Sequence, residues 1–164
     1  MTRHTAIPWR SLAGGVLVLL LLCGPAVGAS PPRTPATTTK CPVCGMFVAK
    51  YPDFLSQIIF NDGSYAAFDG PQDMFKYYLN IKTYNPKKKV SDIDSVYVTD
   101  YYALTPVDGL KAYYVNGSDI NGPMGKELIP FGKESDAQAF MKDHHGKSVL
   151  KFEEVTAATL KGTN

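Results

Sequence analysis

At 164 residues the chain allows one ordinary domain and little more. Its 45% hydrophobic and 20% charged residues make a globular composition, which excludes wholesale disorder, and outside one early cluster the apolar residues are spread too evenly for a polytopic membrane protein. The 17 basic side chains exceed the 15 acidic ones only through Arg3 and Arg10, so residues 30–164 are neutral and carry no electrostatic footprint for nucleic acid.

The early cluster reads as an export signal spanning residues 1–29. Arg3 and Arg10 give a positive start, and Val16 to Leu22 is an unbroken apolar run inside a longer stretch from Leu12. That run is shorter than the roughly 20 apolar residues a membrane span needs. Gly24-Pro25 breaks it, and Val27-Gly28-Ala29 offers the small residues of a peptidase site, with cleavage after Ala29. Leu20-Leu21-Leu22-Cys23 supports a rival reading, lipidation of Cys23 and hence membrane association, although Leu22 stands where a lipobox has Gly, Ala or Ser. Either route exports the protein, to a periplasm or to a membrane face, and cleavage after Ala29 would leave two cysteines, Cys41 and Cys44.

Residues 30–40 are Pro- and Thr-rich without a large apolar residue, which predicts a flexible or extended tether before a domain over 41–160. Within it, Phe47-Val48 and Leu55 to Phe60 predict strands. Asn61-Asp62-Gly63 is a hairpin signal leading into a strand over Tyr65 to Phe68. Asp69-Gly70-Pro71 opens a helix, Asp69 offering a capping oxygen, and Met74, Tyr77, Tyr78 and Ile81 form its apolar face. Ile93 to Tyr102 and Leu110 to Val115 predict two more strands, followed by a Gly-rich loop over Asn116 to Gly125. Leu128 to Phe131 is a short strand. Ser135-Asp136 starts a second helix with Ala137, Phe140, Met141 and His144 on one face, closed by Gly146, and Val149 to Phe152 is a last strand before a terminal turn. Hairpins grouped around helices predict one α+β domain, mainly an antiparallel sheet with two helices.

Chemistry concentrates in Cys41-Pro42-Val43-Cys44-Gly45-Met46, two thiols and a thioether within six residues. Such soft donors select monovalent copper over hard cations. A C-x-M spacing across Gly45 can aim two sulfurs at one point, because glycine leaves the backbone free. Met124 lies in Gly122-Pro123-Met124-Gly125, with no apolar periodicity around it, and is a candidate third ligand or a loop-packing residue. Cys41 is a further candidate. His144 sits on a helix face where a packed, hydrogen-bonded histidine is commoner than a ligand; imidazole also suits copper, so it stays a lesser candidate, while His145 faces solvent. The C-x-x-C has three rival uses: a thiol–disulfide oxidoreductase pair, half of a zinc site, or a disulfide. The cysteines precede a strand rather than a helix, and no further cysteine completes a zinc set; a disulfide here would close too short a loop to stabilise much. No nucleophile elbow, phosphate loop or H-E-x-x-H is present, so nothing requires an enzyme.

Cys44-Gly45-Met46, the hairpin ending at Asp62-Gly63, and Phe68-Asp69 with Met74 resemble the opening of the NosL family, the nitrous oxide reductase accessory lipoproteins. Pro123-Met124-Gly125, the Asp136-Ala137…Phe140 helix and His145-Gly146…Val149-Leu150 resemble its later half, so the likeness runs over roughly residues 41–155. The resemblance implies a periplasmic copper(I) chaperone that serves nitrous oxide reductase together with its maturation factors. It also implies an α+β fold similar to that of the organomercurial lyase MerB, and copper ligands at Cys44, Met46 and Met124. Two departures stand out, the imperfect lipobox and the additional Cys41. The string C-P-V-C-G-M is also similar to YHS/TRASH metal-binding modules, whose further cysteine is missing here because Phe68 is followed by Asp69.

Overall fold

A computed structural model describes Met1 and residues 28–161. The export-signal reading and Cys23 lie outside the described residues, apart from Met1, Gly28 and Ala29. Residues 30–40, expected as a tether, are extended and tied to the domain. Arg33 N donates to Gln57 Oε1 at 2.8 Å, and Gln57 Nε2 donates back to Arg33 O at 2.7 Å. Ser30 N donates to Asp94 Oδ2 at 2.7 Å, and the Tyr97 hydroxyl donates to Ser30 O at 2.9 Å. The buried Gln57 amide thus finds its partners in the segment that covers it, as a buried polar group must.

The hairpin signal is realised as β1 (Ser56–Phe60) and β2 (Tyr65–Phe68). Gly63 takes φ +79°, its N–H donates to Phe60 O at 2.8 Å, and Asp62 Oδ1 accepts from Ser64 N at 3.1 Å. Helix α1 (Pro71–Leu79) and the single turn α2 (Ile81–Tyr84) follow, parted at Asn80, so the expected apolar face breaks one residue before Ile81. Strand β3 (Ile93–Thr99) stops short of the expected Tyr102. Asp100 is the reason: its Oδ1 accepts from Tyr102 N and Ala103 N at 2.9 and 2.7 Å and turns the chain back. The turn leads to β4 (Pro106–Asp108), a strand not expected from the sequence.

The rest comprises β5 (Tyr113–Asn116), β6 (Asn121–Gly122), β7 (Gly125–Lys126), β8 (Ile129–Phe131), α3 (Glu134–Asp143), β9 (Ser148–Lys151) and α4 (Ala157–Lys161). All pairings between these strands are antiparallel, in sheets ordered β2-β1-β3-β4, β8-β5-β9 and β6-β7. The fold is α+β. Among the described residues, where one sheet was expected there are two main sheets and a minor hairpin, and where two helices were expected two more, both short, accompany them. Alternation along β5 divides the core. Tyr114 joins Ile58, Phe68 and Val96 together with Met74 and Phe75 of α1, whereas Val115 joins Ile129 and Phe131 together with Ala137 and Phe140 of α3. Phe75 and Tyr114 meet edge to face at 5.0 Å, holding α1 against the second sheet. That contact sets the N-terminal end of α1 beside the cysteine turn.

Candidate metal centre

Between Thr39 and Val48 the chain doubles back on itself. Cys41 N donates to Met46 O at 2.8 Å, Val48 N donates to Thr39 O at 3.1 Å, and Lys40 pairs with Phe47 as a single bridge. The expected Phe47-Val48 strand is therefore one rung, giving way to a 3-10 turn at Val48–Lys50 and a second at Pro52–Phe54. Pro52 has no N–H to extend a ladder. Gly45 closes the loop at φ +80°, its N–H donating to Cys41 O at 2.9 Å. Open space surrounds it, so the left-handed backbone alone requires glycine there.

Both cysteines of this loop are free thiols. Cys41, only 2% exposed, donates to Asp73 Oδ2 at 3.4 Å; Cys44, partly exposed, donates to Asp69 Oδ1 at 3.1 Å. One ligand atom from each of Cys41, Cys44, Asp69 and Asp73 lies within 4.8 Å of the others. Asp69 and Asp73 are themselves buried, and the second oxygen of Asp69 has no hydrogen-bond partner. A buried carboxylate oxygen left unpaired is costly, and a cation among these donors would remove that cost. Lys76 Nζ, 3.0 Å from Asp73 Oδ1, offsets part of the negative charge.

Asp69 was expected to cap α1. Gly70 is the N-cap and no side chain caps from that position, because Asp69 faces the thiol instead. The orphan N–H of Gln72 in the first turn is taken by Glu127 Oε1 at 2.6 Å, an acceptor 55 residues away that also accepts from Leu128 N at 2.9 Å. Burial pushes the Glu127 carboxyl up to about 8, against these two donors and with Asp73 and Asp69 adding to the rise. Burial likewise pushes the Cys41 thiol up to about 11. Cys44 goes higher still, through burial and then through Asp69 and Asp73.

Of the residues singled out in the sequence, Cys41 and Cys44 are brought together. Met46, partly buried, shares their loop. Met124 is 51% exposed, at the tip of the β6–β7 hairpin. His144 is engaged elsewhere, stacked on Phe140 at a centroid distance of 4.2 Å with Nδ1 3.0 Å from Asp119 Oδ1. Sequence reading had passed over Asp69, Asp73 and Glu127 as parts of the centre. Only the i, i+4 spacing of the two aspartates, which puts them on one side of the helix start, could have drawn attention to them.

Chemically, the loop supplies soft sulfurs suited to monovalent copper, and the helix start supplies two hard oxygens that complete a four-donor set acceptable to borderline divalent ions. Neither thiol has the lowered pKa of an activated nucleophile, and no helix N-terminus follows Cys44 to lower it, which opposes thiol–disulfide catalysis.

The sequence profile of the NosL family matches residues 32–160. The chain belongs to the NosL family. The match takes in most of the extended segment as well as the domain proper. Among NosL relatives, the copper-binding lipoprotein NosL of Stutzerimonas stutzeri is 31% identical over 130 residues, which cover 74% of this chain and 64% of that protein's length. The crystal structure of the copper chaperone NosL from Shewanella denitrificans superposes with a TM-score of 0.65 at 25% identity, covering 79% of this chain and 99% of the other.

Proposed function

We propose that the protein binds copper(I) and hands it to another copper protein. The observation that carries this reading is the convergence of two free thiols in one loop that also presents Met46. The NosL relatives, named a copper-binding lipoprotein and a copper chaperone, support the same metal and the same non-enzymatic role. Cys44, the more accessible thiol, is the principal ligand, with Met46 and Met124 as thioether ligands and Cys41 available behind it. Transfer proceeds by ligand exchange. A donor from the recipient enters beside Cys44, the copper is briefly shared, and the Cys44 thiolate takes up a proton as the metal leaves. An incomplete, open ligand shell suits delivery because the incoming donor needs a coordination position. The recipient is nitrous oxide reductase, reached with its maturation factors after export to the periplasm. The export-signal features and the lipoprotein relative support that location.

The test is an anaerobic copper(I) competition titration of reduced protein, with zinc titrated in parallel. The expected outcome is one tight equivalent of copper, lost in Cys44→Ala and weakened about tenfold or more in Met124→Ala, in keeping with the softness of both donors. Unchanged copper affinity in both variants ends the proposal.

A further inference from the structure

We propose that Glu127 is a positioning residue for Met124: its buried side chain fixes the methionine hairpin to the helix end that faces the two thiols. The inference rests on the reading of Met124 as a copper ligand. Strands β6 and β7 have two residues each, joined only by the pairs Asn121↔Lys126 and Gly122↔Gly125. So short a ribbon is marginal by itself in water, so the place of its tip is set by whatever holds its base.

Glu127 directly follows β7 and is 3% exposed. It reaches in two directions at once. Its Cβ and Cγ pack against the hairpin, lying 3.0 and 2.9 Å from where a Cβ on Gly122 would stand. Its carboxylate runs under α1, accepting from Gln72 N at 2.6 Å, with Oε2 only 2.1 Å from a Cβ position on Gly70. Gly70 lies next to Asp69, and Asp73 is in the same first turn; these are the carboxylates that face Cys44 and Cys41. Both glycines are required by this contact, because any side chain at either position would displace the glutamate. Met124 stands three residues from the anchor, within a chain reach of about 11 Å, so a shift at Glu127 is passed to the thioether with little slack.

A double-mutant cycle on copper(I) affinity tests this. In the native background, Glu127→Ala is expected to weaken binding about tenfold, and Glu127→Gln, which keeps the acceptor and the shape, to restore it to within about threefold. With Met124→Ala already present, Glu127→Ala is expected to change affinity by less than about twofold, since the ligand it positions is gone. Gly122→Ala, whose methyl would press on the Glu127 side chain at the base of the hairpin, is expected to show the same pattern and serves if Glu127→Ala does not fold. A tenfold loss that persists in the Met124→Ala background overturns the positioning role, as does an unchanged affinity in folded Glu127→Ala. If Met124→Ala alone has no effect, the reading of Met124 as a ligand fails first and this inference falls with it.

Discussion

The raised thiols make the pH dependence of copper binding a direct count of the cysteines that bind. Cys41 stands at about 11 and Cys44 above it, so both are protonated throughout the neutral range. Each thiolate that enters the ligand shell must therefore release one proton, while thioethers release none. Below the thiol pKa, one thiolate makes the apparent affinity rise tenfold per pH unit, or about 1.4 kcal/mol. From about pH 6 to about pH 8.5 this amounts to roughly 300-fold for Cys44 alone and roughly 100,000-fold if Cys41 joins it. The assay is anaerobic competition against a copper(I) chelator of known pH dependence, on the native protein and on Cys41→Ser. Binding by Cys44 with two methionines gives a slope of one decade per unit in both proteins. A slope of two that drops to one in Cys41→Ser places both sulfurs on the metal. A flat profile would refute the argument, because it would mean that the thiols are already ionised before copper arrives.

Three further outcomes follow from the same centre. Gly70→Ala forces a methyl against Glu127 Oε2 at 2.1 Å, and that carboxylate is held by two backbone donors. Overpacking and a strained hydrogen bond together should cost about 2–4 kcal/mol, seen as a Tm drop on the order of 10 °C, and an unchanged Tm would mean that the carboxylate moves aside freely. The Glu127 carboxyl binds its proton more tightly in the folded chain, at about 8, than in the unfolded chain at 4.5. Its contribution to stability is therefore complete below the lower value and is lost as pH rises to the upper one, at up to about 1.4 kcal/mol per unit. Denaturant midpoints across that window should show the decline, and Glu127→Gln should flatten it. Asp69→Asn removes a negative charge facing Cys44. Alkylation of Cys44 by iodoacetamide at mildly alkaline pH should then speed up several-fold as more thiolate forms; an unchanged rate would mean that Asp69 does not restrain the thiol.

The features readable from the sequence are those that a few neighbouring residues decide. The Asn61-Asp62-Gly63 turn needed only a left-handed glycine and an aspartate able to bond its own backbone, and both act within four residues. Met74 and Tyr77 fell on a buried helix face because helical spacing alone puts them there. The two thiols and Met46 could be read as soft donors for one ion because their spacing confines them to one loop. Strand β4 escaped notice because three residues opened by a proline carry no pattern, and its pairing is fixed by Asp100 turning the chain back from β3.

Donor chemistry and the local turns, then, belonged to the sequence. The carboxylate wall around the thiols did not. Asp69 reaches Cys44 across 25 residues, Asp73 reaches Cys41 across 32, and Glu127 reaches the first turn of α1 across 55. In the linear chain Asp69 looks like a helix cap, and Glu127, between a lysine and a leucine, looks like a surface charge. Their real roles follow from burial. Once packing of α1 against the second sheet shuts water out, each carboxylate must find a donor inside the protein, and the nearest donors are the thiols and the helix N-terminus.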